Sequence, residues 1–326
     1  MKKFIVLFMA LVAMCVTTAK AQSSLLATLN HEGTITTFYG TTALQKAHES
    51  AADGDVITLS SGTFQSVNIT KAITLRGAGM ALDAATQTEP TVLANEFNIS
   101  ISEETTQRLT IEGIYTNQTV GIQKLKNAMF LKDRFRIINA GNNSKQNATD
   151  LTFIHCKISE DYNGVQASYN SALFQNCIIG NIWGGNYIFK NCVLARKGGE
   201  HSFCENSEYK SCVIKGARDY NSSITMYNNL YTTNWTLSFP NNTNVKVDDD
   251  KAIKNLFEYS DDNDYKLTEE AKALIKGVDG TEVGIYGGSL PFDSTPTNPQ
   301  ISKFNVAAKT TADGKLSVDI EVKSAE

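Results

Sequence analysis

Between Gly180 and Asp219 the chain carries a scatter of side chains able to do chemistry: Trp183, Arg196, Lys197, Glu200, His201, Arg218 and Asp219, with Tyr162 upstream. His201, close in sequence to Arg196, Lys197 and Glu200, sets a base beside cations. Those are the types needed to take a proton from a carbon next to a carboxylate. Trp183, flanked by Gly180 and by Gly184-Gly185, has room to present its indole to a sugar ring. Each group also has a plainer reading. Four charged residues near two glycines describe a solvated loop, and tryptophan is on average highly buried, so Trp183 would pack under a loop. No CxxC or HxxxH spacing suggests zinc. The runs Asp248-Asp249-Asp250 and Asp261-Asp262 read as solvated loops.

These residues are interleaved with a repeat that must position them. Leu151-Thr-Phe-Ile-His-Cys-Lys-Ile158, Ala172-Leu-Phe-Gln-Asn-Cys-Ile-Ile179, Tyr187-Ile-Phe-Lys-Asn-Cys-Val-Leu194 and Ser207-Glu-Tyr-Lys-Ser-Cys-Val-Ile214 are four copies of one phrase, 21, 15 and 20 residues apart. That period fits one coil of a solenoid. Within each copy an aromatic (Phe153, Phe174, Phe189, Tyr209) alternates with polar neighbours. A corner follows at His155, Asn176, Asn191 or Ser211, and then period two resumes, so two short strands meet at a bend. Asn and Ser tolerate corner conformations and can hydrogen-bond along a stack of corners. The cysteines beside them are expected to stack inside as small apolar groups. Leu109–Ile114, Met129–Arg134 and Ile224–Tyr231 extend the column, which then reads Gly77, Gly113, Asp133, His155, Asn176, Asn191, Ser211, Asn228 and implies eight or more coils. The phrase resembles the coils of the right-handed parallel β-helix of the pectin-lyase-like superfamily, which carry an Asn ladder at this turn.

Taken from Met1, Lys2 and Lys3 precede the apolar run Phe4–Val16, and Ala19-Lys20-Ala21 supplies small residues for cleavage. Residues 1–21 read as a secretory signal peptide cut near Ala21. Met14 is too large to precede a lipidated Cys15, and no other run reaches the roughly 18 apolar residues of a membrane helix. The formal net charge is −4, and losing Lys2, Lys3 and Lys20 with the leader makes it more negative, which excludes a nucleic-acid binder. Five of the six cysteines lie beyond the leader, an odd number that cannot pair completely. Buried free thiols are expected, because their spacing follows the coil.

Residues 22–42 read as an irregular arm, followed by a helix over Ala43–Ala52 with Leu44, Ala47 and Ala51 on one face and Thr41 or Thr42 as cap. Such a helix covers the open end of a stack. The helix and the following Asp53-Gly-Asp-Val-Ile-Thr-Leu59, Ser61-Gly-Thr-Phe64 and Ile69–Gly79 segments are similar to the N-terminal cap of many secreted pectin-lyase-like proteins. Phe257–Phe292 resembles their closing segment, a short helix with a Gly-rich strand. The expected fold is therefore all-β: a right-handed parallel β-helix over residues 22–290 with an N-terminal capping helix, a linker over 291–300, and a C-terminal β-hairpin tail over 301–326 turning at Ala312-Asp313-Gly314. Tails of this form are similar to those of secreted Bacteroidetes proteins, and Asp293-Ser294-Thr295 matches that phylum's short O-glycosylation pattern.

The resemblance implies a polysaccharide groove along one face, with β-elimination on uronic-acid polymers or hydrolysis by paired carboxylates as the available chemistries. The motifs of polygalacturonases, pectin methylesterases and pectate lyases are missing. Two readings remain. In the first, an exported β-helix binds a polysaccharide or cell-surface glycan without catalysis, using Tyr162, Trp183, Glu200 and Arg218, with no metal or cofactor. In the alternative, a polysaccharide lyase uses His201 and Arg218 as catalytic residues, and calcium enters as its cofactor.

Overall fold

The computed structural model describes residues 25–102, 104–139, 147–158, 164–166, 169–182, 184–195, 201–218, 223–234, 236–237, 243–248, 264–307, 309–311 and 313–323. The chain winds into a parallel β-helix of about seven turns. Its first sheet stacks Val56–Leu59, Thr74–Arg76, Thr110–Glu112, the end of Ile114–Leu131, Asn147–Ile154, Ala172–Gln175, Tyr187–Lys190, Glu208–Lys210 and Thr225–Tyr227. The second runs from Gly62–Phe64 through Lys157–Ile158, Ile178–Ile179, Val193–Leu194 and Val213–Ile214 to Val245–Lys246. The third joins Phe97–Ser100, the middle of Ile114–Leu131, the end of Arg134–Asn139 and Val165–Gln166, with a bridge to Ile182. His201–Ser202 and Ala217–Arg218 form a separate parallel pair.

The repeat sets the register. Phe153 pairs with Phe174, Phe174 with Phe189 and Phe189 with Tyr209. Their rings stack at 4.8, 5.2 and 4.6 Å between centroids, close to the strand spacing. Phe130 extends the stack at 4.6 Å from Phe153. Beside it Cys156, Cys177, Cys192 and Cys212 are all buried and unpaired. Each thiol donates to a main-chain carbonyl of the preceding coil: Phe130, Phe153, Phe174 and Phe189 in turn.

Seven corners between the first and second sheets are left-handed, with φ between 50° and 67°: Gly113, Lys132, His155, Asn176, Asn191, Ser211 and Asn228. Two positions of the expected column are corrected. Lys132, not Asp133, takes the corner, and Asp133 falls one step inward into the cysteine slot, fully buried. Gly77 is not left-handed; it is glycine because a Cβ there would lie 2.3 Å from the Gly113 carbonyl oxygen.

The corner side chains fasten a strap. After the helix α2, Glu269–Leu274, capped by Thr268 Oγ1 accepting from Ala271 N, the chain runs back along the whole column. Asn228 Nδ2 donates to Lys276 O, Ser211 Oγ accepts from Val278 N, and Asn191 Nδ2 donates to Glu282 O. Asn176 Nδ2 donates to Ile285 O and Gly287 O, and His155 Nε2 donates to Leu290 O. Lys132 Nζ then holds Asp293 Oδ2 at 2.7 Å and Thr295 O, and Asn298 Nδ2 donates to Gly77 O. The interval expected as a linker, 291–300, thus carries the last of these contacts. The Gly284–Gly288 stretch, expected as a strand, runs as turns within the strap. Strap and α2 bury Tyr265, Leu267, Ala271, Ile275, Val283 and Ile285 against the outward side chains Ile178, Val193, Val213 and Leu230 of the second sheet.

At the other end α1, Ala43–Ser50, lies over the first coil with Ala43, Leu44, Ala47 and His48 buried. Thr42 occupies its N-cap position without a side-chain cap bond. Lys71 Nζ closes its C-terminus, donating to the carbonyls of His48, Glu49 and Ala51, where a cation complements the helix dipole. The stretch expected as an irregular arm forms the hairpin Leu26–His31/Thr34–Tyr39, whose first strand pairs antiparallel with Val56–Leu59. Its turn residues Glu32 and Gly33 both have positive φ, as a primed two-residue turn requires. The C-terminal strands Gln300–Val306 and Val318–Lys323 pair antiparallel as expected.

Candidate functional site

The strap decides where a ligand can meet the coils. With the outer side of the second sheet sealed, the outward sides of the first and third sheets stay open. On the third sheet, Asn98, Gln123, Asn139 and Gln166 alternate with the buried Phe97, Ile99, Ile122, Ile138 and Val165 and therefore point outward. Asn98 pairs with Gly121, Gly121 with Asn139, and Asn139 with Gln166, giving one row across successive coils. Gln123 Nε2 donates to Asn98 Oδ1 at 3.1 Å. Toward the later coils, Arg218 is partly exposed on the strand Ala217–Arg218 of the separate pair. At that end a cleft of about 380 Å³ is lined by Gly216, Thr232, Thr233, Asn234, Lys246, Val247 and Asp248. Its volume is within the range of small-ligand clefts.

Of the residues singled out from the sequence, the structure separates His201 from Arg218. His201 is fully buried, its imidazole edge-on to the rings of Phe203 and Tyr209 at 5.8 and 6.3 Å. It pairs in register with Ala217, whereas Arg218 pairs with Ser202. Strand alternation thus turns His201 inward and Arg218 outward. Tyr162, Trp183, Arg196, Lys197, Glu200 and Asp219 lie outside the described residues. Ile182, just before Trp183, is buried and bridged to Val165.

Two groups escaped the sequence reading. Asn98, Gln123 and Asn139 belong to coils without the cysteine phrase, and Gln166 falls in the interval between two phrases, so no repeat pointed to them. A second set surrounds the buried Asp133: Glu112, Arg76, Lys132 and Asp293. Asp133 Oδ1 accepts from Ile114 N at 2.8 Å, while Oδ2 has no hydrogen-bond partner. Burial holds its carboxyl well above the usual range, and the nearby Glu112 pushes the same way. Glu112 is itself raised by burial, against the pull of Arg76, whose Nε lies 3.3 Å away. Thr297 of the strap also bonds Glu112. Among the described residues no group of three or more His, Cys, Asp or Glu side chains is placed to hold a metal ion. No helix among them is long and apolar enough to cross a membrane.

Comparison with protein-family models, with curated proteins and with solved structures returns no match.

Proposed function

We propose that the protein is an exported β-helix that binds a linear polysaccharide or cell-surface glycan along its third-sheet face without cleaving it. The observation that carries this is the outward row of Asn98, Asn139 and Gln166, with Gly121 on the coil between the first two, and the partly exposed Arg218 on the separate pair of the later coils. Positions repeating at about 4.8 Å along the stack suit a polymer whose own units repeat. Amides and a guanidinium supply both donors and acceptors for hydroxyl groups. The variable intervals that carry Tyr162, Trp183 and Glu200 interrupt the same repeat, and variable segments on a fixed scaffold are where binding usually resides. The burial of His201 weighs against the lyase alternative, since an interior imidazole does not meet a polymer on the surface.

Membership of the pectin-lyase-like superfamily is supported by the left-handed polar corners, and export by the leader-like residues 1–21. The reading is tested with the purified chain on a glycan array and by affinity electrophoresis. Binding is expected, with Arg218→Ala weakening it, and no unsaturated product should form with or without calcium. Release of unsaturated uronides would replace this reading with the lyase, and absence of binding to every glycan would remove it.

A further inference from the structure

The hairpin Leu26–His31/Thr34–Tyr39 extends the first sheet past its first coil and leaves its own outer edge open. Among the described residues, Thr34–Tyr39 has Leu26–His31 as its only strand partner. Gly40 N donates to Leu25 O, and bonded pairs in an antiparallel ladder recur at every second residue. Phe38, Thr36 and Thr34 therefore turn their main-chain groups toward Ala27, Leu29 and His31. The N–H and C=O groups of Ile35, Thr37 and Tyr39 point the other way, to an edge that no described strand covers.

Open edges are ordinarily blunted by charged residues or proline. The C-terminal hairpin follows that rule, with Lys303 on one strand and Asp319, Glu321 and Lys323 on the other. Thr34–Tyr39 has neither a charge nor a proline, in a chain of which 20% is charged. Phe38 packs inward against the core. Ile35 and Tyr39, 66% and 60% exposed, are the two most exposed large apolar side chains among the described residues. Main chain and side chains at this edge are both ready for another strand.

We propose that this edge pairs with the same edge of a second copy, joining two β-helices head to head through one continuous antiparallel sheet. The strand's self-complementarity selects that partner. With a two-fold axis at Thr37, the free main-chain groups of Ile35, Thr37 and Tyr39 all find partners, Ile35 lying opposite Tyr39 of the second copy and Thr37 opposite its own counterpart. Aromatic with β-branched and threonine with threonine are favourable cross-strand pairs. An axis at Thr36 instead would set Tyr39 against the turn residue Gly33. The strand contributes no charge to repel a second copy of an acidic chain, and Glu32 of the two copies falls at opposite ends of the paired strands. The inference does not depend on the glycan reading.

The test is sedimentation of protein lacking residues 1–21 over a series of concentrations. A reversible dimer is expected and no larger assembly, because an isologous contact uses up the edge on both copies. Thr37→Lys sets like charges directly opposite each other and should weaken association several-fold. It should leave the far-UV spectrum unchanged, since Thr37 is exposed and its main-chain groups are turned away from Leu26–His31. Thr37→Cys should form a disulfide-linked dimer on mild oxidation, because bonded antiparallel pairs hold their Cα atoms about 5.5 Å apart and the native thiols among the described residues are buried. Ile35→Cys should link to Tyr39→Cys when the two variants are mixed, and far less to itself. A monomer at every concentration overturns the proposal and leaves the edge to a strand of another protein. A dimer that Thr37→Lys does not weaken, or that Thr37→Cys does not link, is held by another surface and overturns it equally.

Discussion

Asn176 reaches out of its coil and donates both Nδ2 hydrogens to the returning chain, to Ile285 O and Gly287 O at 2.8 Å each. The polar corner column is therefore a row of fasteners for a strap. Its partners are nearly all main-chain groups, and the strap's glycines permit the approach: a Cβ at Gly287 would come within 2.6 Å of Asn191 Nδ2 and closer still to Glu282 O. A strap held this way seals the second sheet, whose outward Ile178, Val193, Val213 and Leu230 would otherwise face water.

Removing one fastener should loosen the seal. Asn176→Ala deletes two hydrogen bonds in a buried setting and leaves two carbonyls unsatisfied, so a loss of about 2–4 kcal/mol is expected. Asn176→Gly tests the same loss without a side chain in a left-handed position, at φ 50°. Urea unfolding measures the stability, and limited proteolysis reports the strap. Faster cleavage within residues 276–298 is expected for both variants, and a wild-type cleavage pattern would refute the fastening role.

The sequence made the coils legible because one side of each strand repeats: an aromatic, a polar corner, then a cysteine. That pattern placed Phe153, Phe174, Phe189 and Tyr209 in one stack. It misplaced the corner at Asp133 because Met129–Arg134 has no cysteine to set the phase, and Lys132 looked less like a corner residue than its acidic neighbour. The strap was hidden for a different reason. Its bonds run from repeat side chains to main-chain atoms of a segment without periodicity, and main-chain atoms leave no mark in a sequence. The hairpin at Leu26–Tyr39 carried a readable Glu-Gly turn, but its exposed Ile35 and Tyr39 blur the alternation. His201 looked chemical by its neighbours in sequence, while burial depends on neighbours in space.

The aromatic stack should carry much of the core's stability. Phe174 is fully buried between Phe153 and Phe189, with Tyr187 edge-on at 5.5 Å. Phe174→Ala is expected to cost about 3–5 kcal/mol, read as a lower urea midpoint with an unchanged slope. A cost under about 1 kcal/mol would mean that the site collapses and the stack is not a packed column.

The thiol column should be chemically silent until the coils open. Burial pushes Cys177 and Cys212 well up, and Cys204 up to about 12, so at neutral pH little thiolate exists at these three, and all five thiols are out of a reagent's reach. Protein lacking residues 1–21, prepared without reductant, should show five free thiols on unfolding and almost none while native. A disulfide-exchange reagent should label them at a rate that follows unfolding, rising with urea. Prompt labelling of Cys156, Cys177, Cys192 or Cys212 in the native protein, or a disulfide between any two of them, would contradict the buried column.

Asp133 gives the stack its pH dependence on the alkaline side. It stands where the later coils place cysteine, with one oxygen satisfied by Ile114 N and the other buried without a partner. Burial therefore favours the protonated carboxyl and raises its folded pKa well above the unfolded one. Between those two pKa values the native state holds a proton that the unfolded chain has released. Stability from this group is thus full below the ordinary carboxylate range and falls as pH rises towards the folded value. Asp133→Asn keeps the acceptor for Ile114 N and removes the ionisation, while Asp133→Cys continues the thiol column. Both variants should gain melting temperature over wild type as pH is raised from about 4, with little difference at or below that pH, near the unfolded aspartate pKa. Melting curves across that range check the sign directly. A wild-type advantage that grows with pH would show that Asp133 is ionised and held by a cation in the folded coils, and parallel curves would show that it does not titrate with folding.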